Sequence, residues 1–137
     1  MAGLPPSEDS LLIRTDFEDD SAWLELRAEV EEENADGFAA YVEAVDDRAW
    51  AGVPWTELQR AVMAEAPHAE VLFAADSQAF TSDYPIQVVD LSGDGREPFR
   101  CAARELWGVD NNLNLANMDW DEFADAVGPD GVFHGFE

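Results

Sequence analysis

Lysine is absent from this 137-residue chain, and its seven scattered arginines face 31 carboxylates, a formal net charge of −24. Binding a nucleic-acid backbone requires clustered Lys and Arg, so DNA and RNA are excluded as partners of an intrinsic basic surface. An anionic membrane surface repels the chain for the same reason. A single cysteine, Cys101, excludes an internal disulfide framework. No apolar run approaches the ~18–20 residues of a membrane span, and the opening MAGLPPSEDS has neither the basic nor the apolar region of a secretory leader. These absences together read as a cytoplasmic protein.

What is present is enough to build a core. Hydrophobic residues make up 47% of the chain and aromatics 11%, well outside the composition of disordered segments. The charge is uneven. Residues 1–47 hold fifteen acids and two arginines, a net of −13, and the remaining ninety residues a net of −11. The N-terminal third is therefore the acidic pole.

Residues 1–10 read as a polar tail and residues 11–137 as a single globular domain. Leu11 to Phe17 alternates as a strand, with Arg14 and Asp16 on its polar face. Asp19, Asp20 and Ser21 offer N-cap oxygens, and Trp23, Leu26 and Val30 form one apolar stripe, predicting a helix over 21–33 that stops near Asp36-Gly37. Phe38 to Val45 looks like a second strand. Pro54 suits a first helical position, and Trp55, Leu58 and Val62 predict a second helix ending before Pro67. Val71 to Ala75 and Ile86 to Leu91 are apolar runs suited to strands covered on both faces. Pro98 to Ala103 is a further strand, with Gly93-Asp94-Gly95 as the turn before it. Asp110 to Met118 reads as an amide-rich loop, Asp119 and Glu122 match a capping box opening a helix to about Val127, and Val132 to Phe136 closes the sheet. The expected fold is α/β or α+β: one compact sandwich of a mixed sheet with about three helices.

Candidate chemistry is sparse. Asp90 to Gly95 reproduces positions 1, 3, 5 and 6 of a calcium loop. Cys101 falls at position 12, where a bidentate Glu is needed, so the segment reads as a hairpin turn and no metal site is expected. Cys101 with His68 or His134 lacks any nucleophile signature and reads as a small buried hydrophobe. Trp23, Trp55 and Trp120 lie on or beside apolar helix faces, whereas Trp50 and Trp107 lie in expected loops and suit exposed aromatic contacts. Arg14 and Asp16, on one strand face, have the chemistry to hold a substrate carboxylate and move a proton, or to form a structural pair. Asn111, Asn112, Asn114 and Asn117 present either a buried loop's internal bonding or a recognition surface. Glu25, Glu29 and Glu33 at i, i+4, i+8 repel one another by roughly 0.2–0.5 kcal/mol per step. With Asp16, Asp19 and Asp20 they project a negative field.

Leu11 to Phe17, Val45-Asp46-Asp47, Val88 to Leu91, Asp110 to Phe123 and Gly131 to Phe136, taken in order, resemble an uncharacterised family of small acidic bacterial proteins, a domain of unknown function. The most specific part is Asn111-Asn112-Leu113, Ala116-Asn117-Met118-Asp119 and Glu122-Phe123, with His134 at the variable position of the closing stretch. The resemblance implies one intact domain and assigns no activity or site residues.

Three readings follow. The first is a non-enzymatic interaction module, an immunity-type inhibitor or regulator, docking on a basic protein through Asp16, Asp19, Asp20, Glu25, Glu29 and Glu33, with no cofactor. The second is a small enzyme or ligand-binding protein with a pocket near Arg14, Asp16 and the Asn-rich loop (Asn111, Asn112), walled by Trp107. The third assigns the acidic surface to solubility alone.

Overall fold

Strand β1 (Ser10–Arg14) is buried on both faces, which its alternating pattern understates. Leu12 enters one apolar core, while Leu11 and Ile13 enter a second on the opposite face. The computed structural model describes residues 4, 9–66, 69–93, 96–114 and 118–135. Pro67, Asp94, Gly95, Ala116 and Asn117, to which turns and recognition roles were assigned, and the end of the last expected strand at Phe136, lie outside the described residues.

Helix α1 (Asp20–Glu31) follows, its N-terminus capped by the Asp19 carboxylate, which accepts from the Ala22 N–H at 3.0 Å. Its stripe of Trp23, Leu26 and Val30 is buried as the spacing requires. Strand β2 (Val42–Val45) pairs parallel with one side of β1. It is shorter than the expected 38–45, because Phe38 leaves the strand path to stack on Trp107 at 5.3 Å. Helix α2 (Trp55–Glu65) then crosses to β3 (Val71–Ala75), which pairs parallel with the other side of β1. The α1 stripe packs in the Leu12 core, and Leu58 and Val62 of α2 pack in the Leu11 and Ile13 core, so the two helices cover opposite faces.

Beyond β3 the sheet turns antiparallel. Strand β4 (Pro85–Asp90) pairs with β3 and β5 (Phe99–Ala102) with β4. Helices α3 (Leu106–Asn114) and α4 (Trp120–Ala124) pack on the α1 face and lead to β6 (Val132–Phe133), parallel to β5. The result is a compact α+β fold around a six-stranded mixed sheet of order β2-β1-β3-β4-β5-β6. Of the amide-rich segment expected to be a loop, residues 110–114 form the second half of α3; interleaved Leu106, Val109 and Leu113 give this helix an apolar face that outweighs the poor helix propensity of Asn. Among the described residues no helix is long and apolar enough to cross a membrane.

This topology positions the site. Strand order reverses between β1 and β3, the kind of switch point at which open α/β sheets place their binding residues beyond the strands' carboxyl ends. Here those ends are stitched together. The Thr15 N–H donates to the Ala75 carbonyl at 2.9 Å, and the Gly52 N–H donates to the Thr15 carbonyl at 2.8 Å. Gly52 reaches that bond with φ +73°, a conformation that favours glycine.

Candidate functional site

Asp16, Asp46 and Asp76 stand within two residues of the ends of β1, β2 and β3, and the parallel register brings those ends to one edge. Arg14, the last residue of β1, is only 2% exposed. Its Nη2 pairs with Asp20 Oδ1 at 2.8 Å and its Nη1 with Asp46 Oδ1 at 3.3 Å. Its Nε donates to the Asp16 backbone carbonyl at 2.8 Å, and its guanidinium lies 4.5 Å from the Phe17 ring centroid and 5.5 Å from that of Trp23. The expectation that Arg14 and Asp16 share a strand face is therefore corrected. The strand ends at Arg14, and the Asp16 carboxylate turns away to accept from the Glu18 N–H at 3.1 Å. Arg14 holds the edge together, with Nε, Nη1 and Nη2 each engaged within the fold.

Each aspartate of the edge uses an oxygen to order local backbone or a neighbour. Asp47 accepts from the Ala49 N–H at 3.0 Å, opening the short 3₁₀ turn Arg48–Trp50. Asp76 receives both Arg100 guanidinium nitrogens, at 2.9 and 2.7 Å, in a forked pair. Asp20 is 71% exposed and Asp46 48%, against 2% for Arg14 between them. The cation is inside and the anions face water. Asp46, Asp47 and Asp76 are not among the site residues expected from sequence, although Asp46 and Asp76 follow directly on strands β2 and β3, the signal that points to them.

On α1, Glu25 accepts a hydrogen bond from the Tyr84 hydroxyl. Tyr84 (φ +48°) follows Asp83 (φ +68°), two non-glycine residues in the left-handed region. The phenol is pushed up to about 12, mainly by that bond to Glu25, with desolvation and the charges of Glu25, Glu29 and Asp19 adding to it. A raised pKa means that the fold favours the neutral phenol. The contribution is present in full below pH 10 and is lost as pH climbs toward 12. An ultraviolet phenolate titration is expected to show one tyrosine ionising near 12, and Glu25→Gln to bring it back toward about 10; an unmoved titration in the variant would refute the bond. Glu29 lies half-buried in the same helix, but Glu33 does not continue the row, because α1 ends at Glu31 and the chain turns extended at Glu32.

Trp107, Asn111 and Asn112 lie elsewhere. Asp110, 3% exposed, accepts from the Tyr41 N–H at 3.0 Å. Tyr41 precedes Val42, which is in register with Ser10 at the start of β1. The amides thus sit at the amino edge of β1 and Arg14 at its carboxyl edge, about 13 Å of strand apart. Asn112 Nδ2 donates to the Gly108 carbonyl at 2.8 Å and Asn111 is half-buried, which is the bonding of a helix. The single pocket expected from Arg14, Asp16 and the asparagines is not formed. Trp50, expected to be exposed, is 4% exposed in the second core, with its Nε1 unpartnered among the described residues.

The other candidate chemistry finds no support among the described residues, and His68 lies outside them. Burial pushes the Cys101 thiol well up, with Glu105 adding to it, and the thiol donates to the Ala102 carbonyl. His134 instead pairs with Asp130 at 2.9 Å and holds that carboxyl below its usual range. Asp90 closes an Asx turn onto the N–H and hydroxyl of Ser92. Among the described residues no group of three His, Cys, Asp or Glu is placed to hold a metal ion.

The family model of a Domain of unknown function (DUF6924) matches residues 9–136, and the chain belongs to that family. No curated protein matches it.

Proposed function

We propose that this member of the family is a non-enzymatic interaction module, an inhibitor or regulator of the immunity type, that docks on a basic protein through its N-terminal acidic region. The observation that carries the reading is the pairing of Asp20 and Asp46 on a buried Arg14, with Asp16, Asp19 and Asp47 beside them in the chain capping local backbone. At physiological salt, charges act over about 8 Å, so carboxylates gathered on one edge add their fields where the same number scattered would not. A field of that kind speeds capture of a complementary partner more than it tightens the final complex. A buried unpaired Cys101 suits a reducing compartment, in keeping with a cytoplasmic module. The pocket reading loses its support, since Arg14 is occupied and the asparagines lie at the other edge.

The test is a charge-matched comparison against a basic partner captured and identified at about 50 mM salt, where screening is weak. The triple variant Asp16→Asn, Asp46→Asn, Asp47→Asn keeps side-chain oxygens for the turns. It is expected to weaken binding about tenfold, mostly through the association rate. Glu57→Gln, Glu65→Gln, Glu70→Gln removes the same charge from exposed positions on α2 and just before β3, and is expected to have less than about a threefold effect. Equal losses would assign the acidity to solvation alone.

A further inference from the structure

Strand β2 is the outermost strand of the sheet, and β1 is its only partner in the strand order. A parallel ladder uses the N–H and C=O of alternate residues, so half of those in Val42–Val45 point away from β1. Among the described residues no backbone bond reaches them from another element. Edges of this kind are templates for a further strand, and natural proteins usually cover or blunt them.

This edge is bordered by an open cleft of about 550 Å³, whose lining includes Asp9, Arg27, Glu31, Glu33, Tyr41 and Glu43. Four carboxylates there face one arginine, and Arg27 already pairs with Glu31 at 3.2 Å. Val42 and Ala44 turn toward the α1 face of the sheet, whereas Glu43, in register with Leu11, turns toward the α2 face. A strand laid along β2 therefore meets carboxylates on both of its faces, Glu31 and Glu33 on one and Glu43 on the other. Tyr41, 62% exposed, stands at the start of the same edge as a ring on which a guanidinium can stack.

Resting on the docking reading above, we infer that the β2 edge is a strand-addition site that takes an extended segment of the basic partner carrying two or more Lys or Arg residues. Main-chain bonds to β2 supply the affinity, and the flanking carboxylates select the charge. A second copy of this chain is the wrong occupant. It would set Glu43 near its own counterpart, and like charges facing each other across strands are destabilising, on top of a net −24 per molecule.

The probes are an eight-residue peptide alternating arginine and valine, its glutamate-for-arginine counterpart, and the arginine peptide N-methylated throughout. The arginine peptide is expected to bind and to slow amide exchange within Val42–Val45 by about tenfold or more. Backbone N-methylation, which keeps every charge and removes every main-chain N–H, is expected to weaken binding at least about tenfold. Glu31→Gln, Glu33→Gln, Glu43→Gln together are expected to cost about tenfold in affinity. Equal binding of the N-methylated peptide, or protection centred on Asp16–Asp20 and Asp46–Asp47, overturns strand addition while leaving the docking reading standing. Binding of the glutamate peptide overturns the choice of a basic occupant, and failure of every peptide at low salt overturns both readings.

Discussion

Phe123→Ala is expected to lower the unfolding free energy by about 3–5 kcal/mol, the range for emptying a large aromatic site in a core. Phe123 has no exposed surface. Its ring stacks 6.4 Å from Phe99 and meets Phe133 edge-on at 5.3 Å, while Phe99 in turn meets Trp120 at 4.8 Å. This one side chain therefore ties α4, β5 and β6 together. Helix α4 has five residues and β6 has two, and a helix that short has no stability of its own in water. The cluster has to hold both. Urea unfolding measures the loss, and Phe123→Leu, which keeps most of the volume, is expected to lose only roughly 1–1.5 kcal/mol. A change below about 1 kcal/mol for the alanine variant would mean that the C-terminal layer is held by something else.

Arg14→Ala has the second largest expected effect, about 2–4 kcal/mol, below the upper end for buried pairs because both carboxylate partners are partly in water. Three losses combine. The guanidinium leaves the Phe17 and Trp23 rings, the Asp16 carbonyl loses its donor, and Asp20 and Asp46 face each other with no cation between them. The last of these is electrostatic and partly exposed, so about 1 M salt is expected to restore some of the stability of the variant and little of that of the parent. Arg14→Lys keeps the charge but cannot reach three acceptors as a planar fork, and is expected to fall between the two. Salt-independent destabilisation of the alanine variant would assign the role of Arg14 to packing alone. In either case the edge on which the docking reading depends is held by its cation, so Arg14→Ala should also blunt partner capture beyond what its extra negative charge would favour.

Some of this was visible residue by residue. The stripe Trp23, Leu26, Val30 and the pair Leu58, Val62 placed α1 and α2 closely, because a helix buries positions three and four apart wherever it lies. Val71 to Ala75 read as a strand covered on both faces, and β3 is buried throughout. Two misreadings have physical causes. Asn111 and Asn112 have weak helix propensity, yet the apolar face of α3 docks on the core and overrides it. Trp50 lies in an expected loop, which suggests exposure, but the 3₁₀ turn Arg48–Trp50 folds it into the α2 core.

The sequence alone determined that the chain carries −24 without a lysine, that its first third is the acidic pole, and that alternating apolar strands and striped helices would build a mixed sheet. Only the tertiary structure decided which carboxylates share an edge and which backbone is left open. Asp16, Asp46 and Asp76 are thirty residues apart in the chain, and periodicity reports only neighbours within a turn or a pleat. They meet because α1 carries the chain to one side of β1 and α2 carries it back to the other, aligning three carboxyl ends. The same crossovers leave β2 outermost, with no further strand beside it among the described residues.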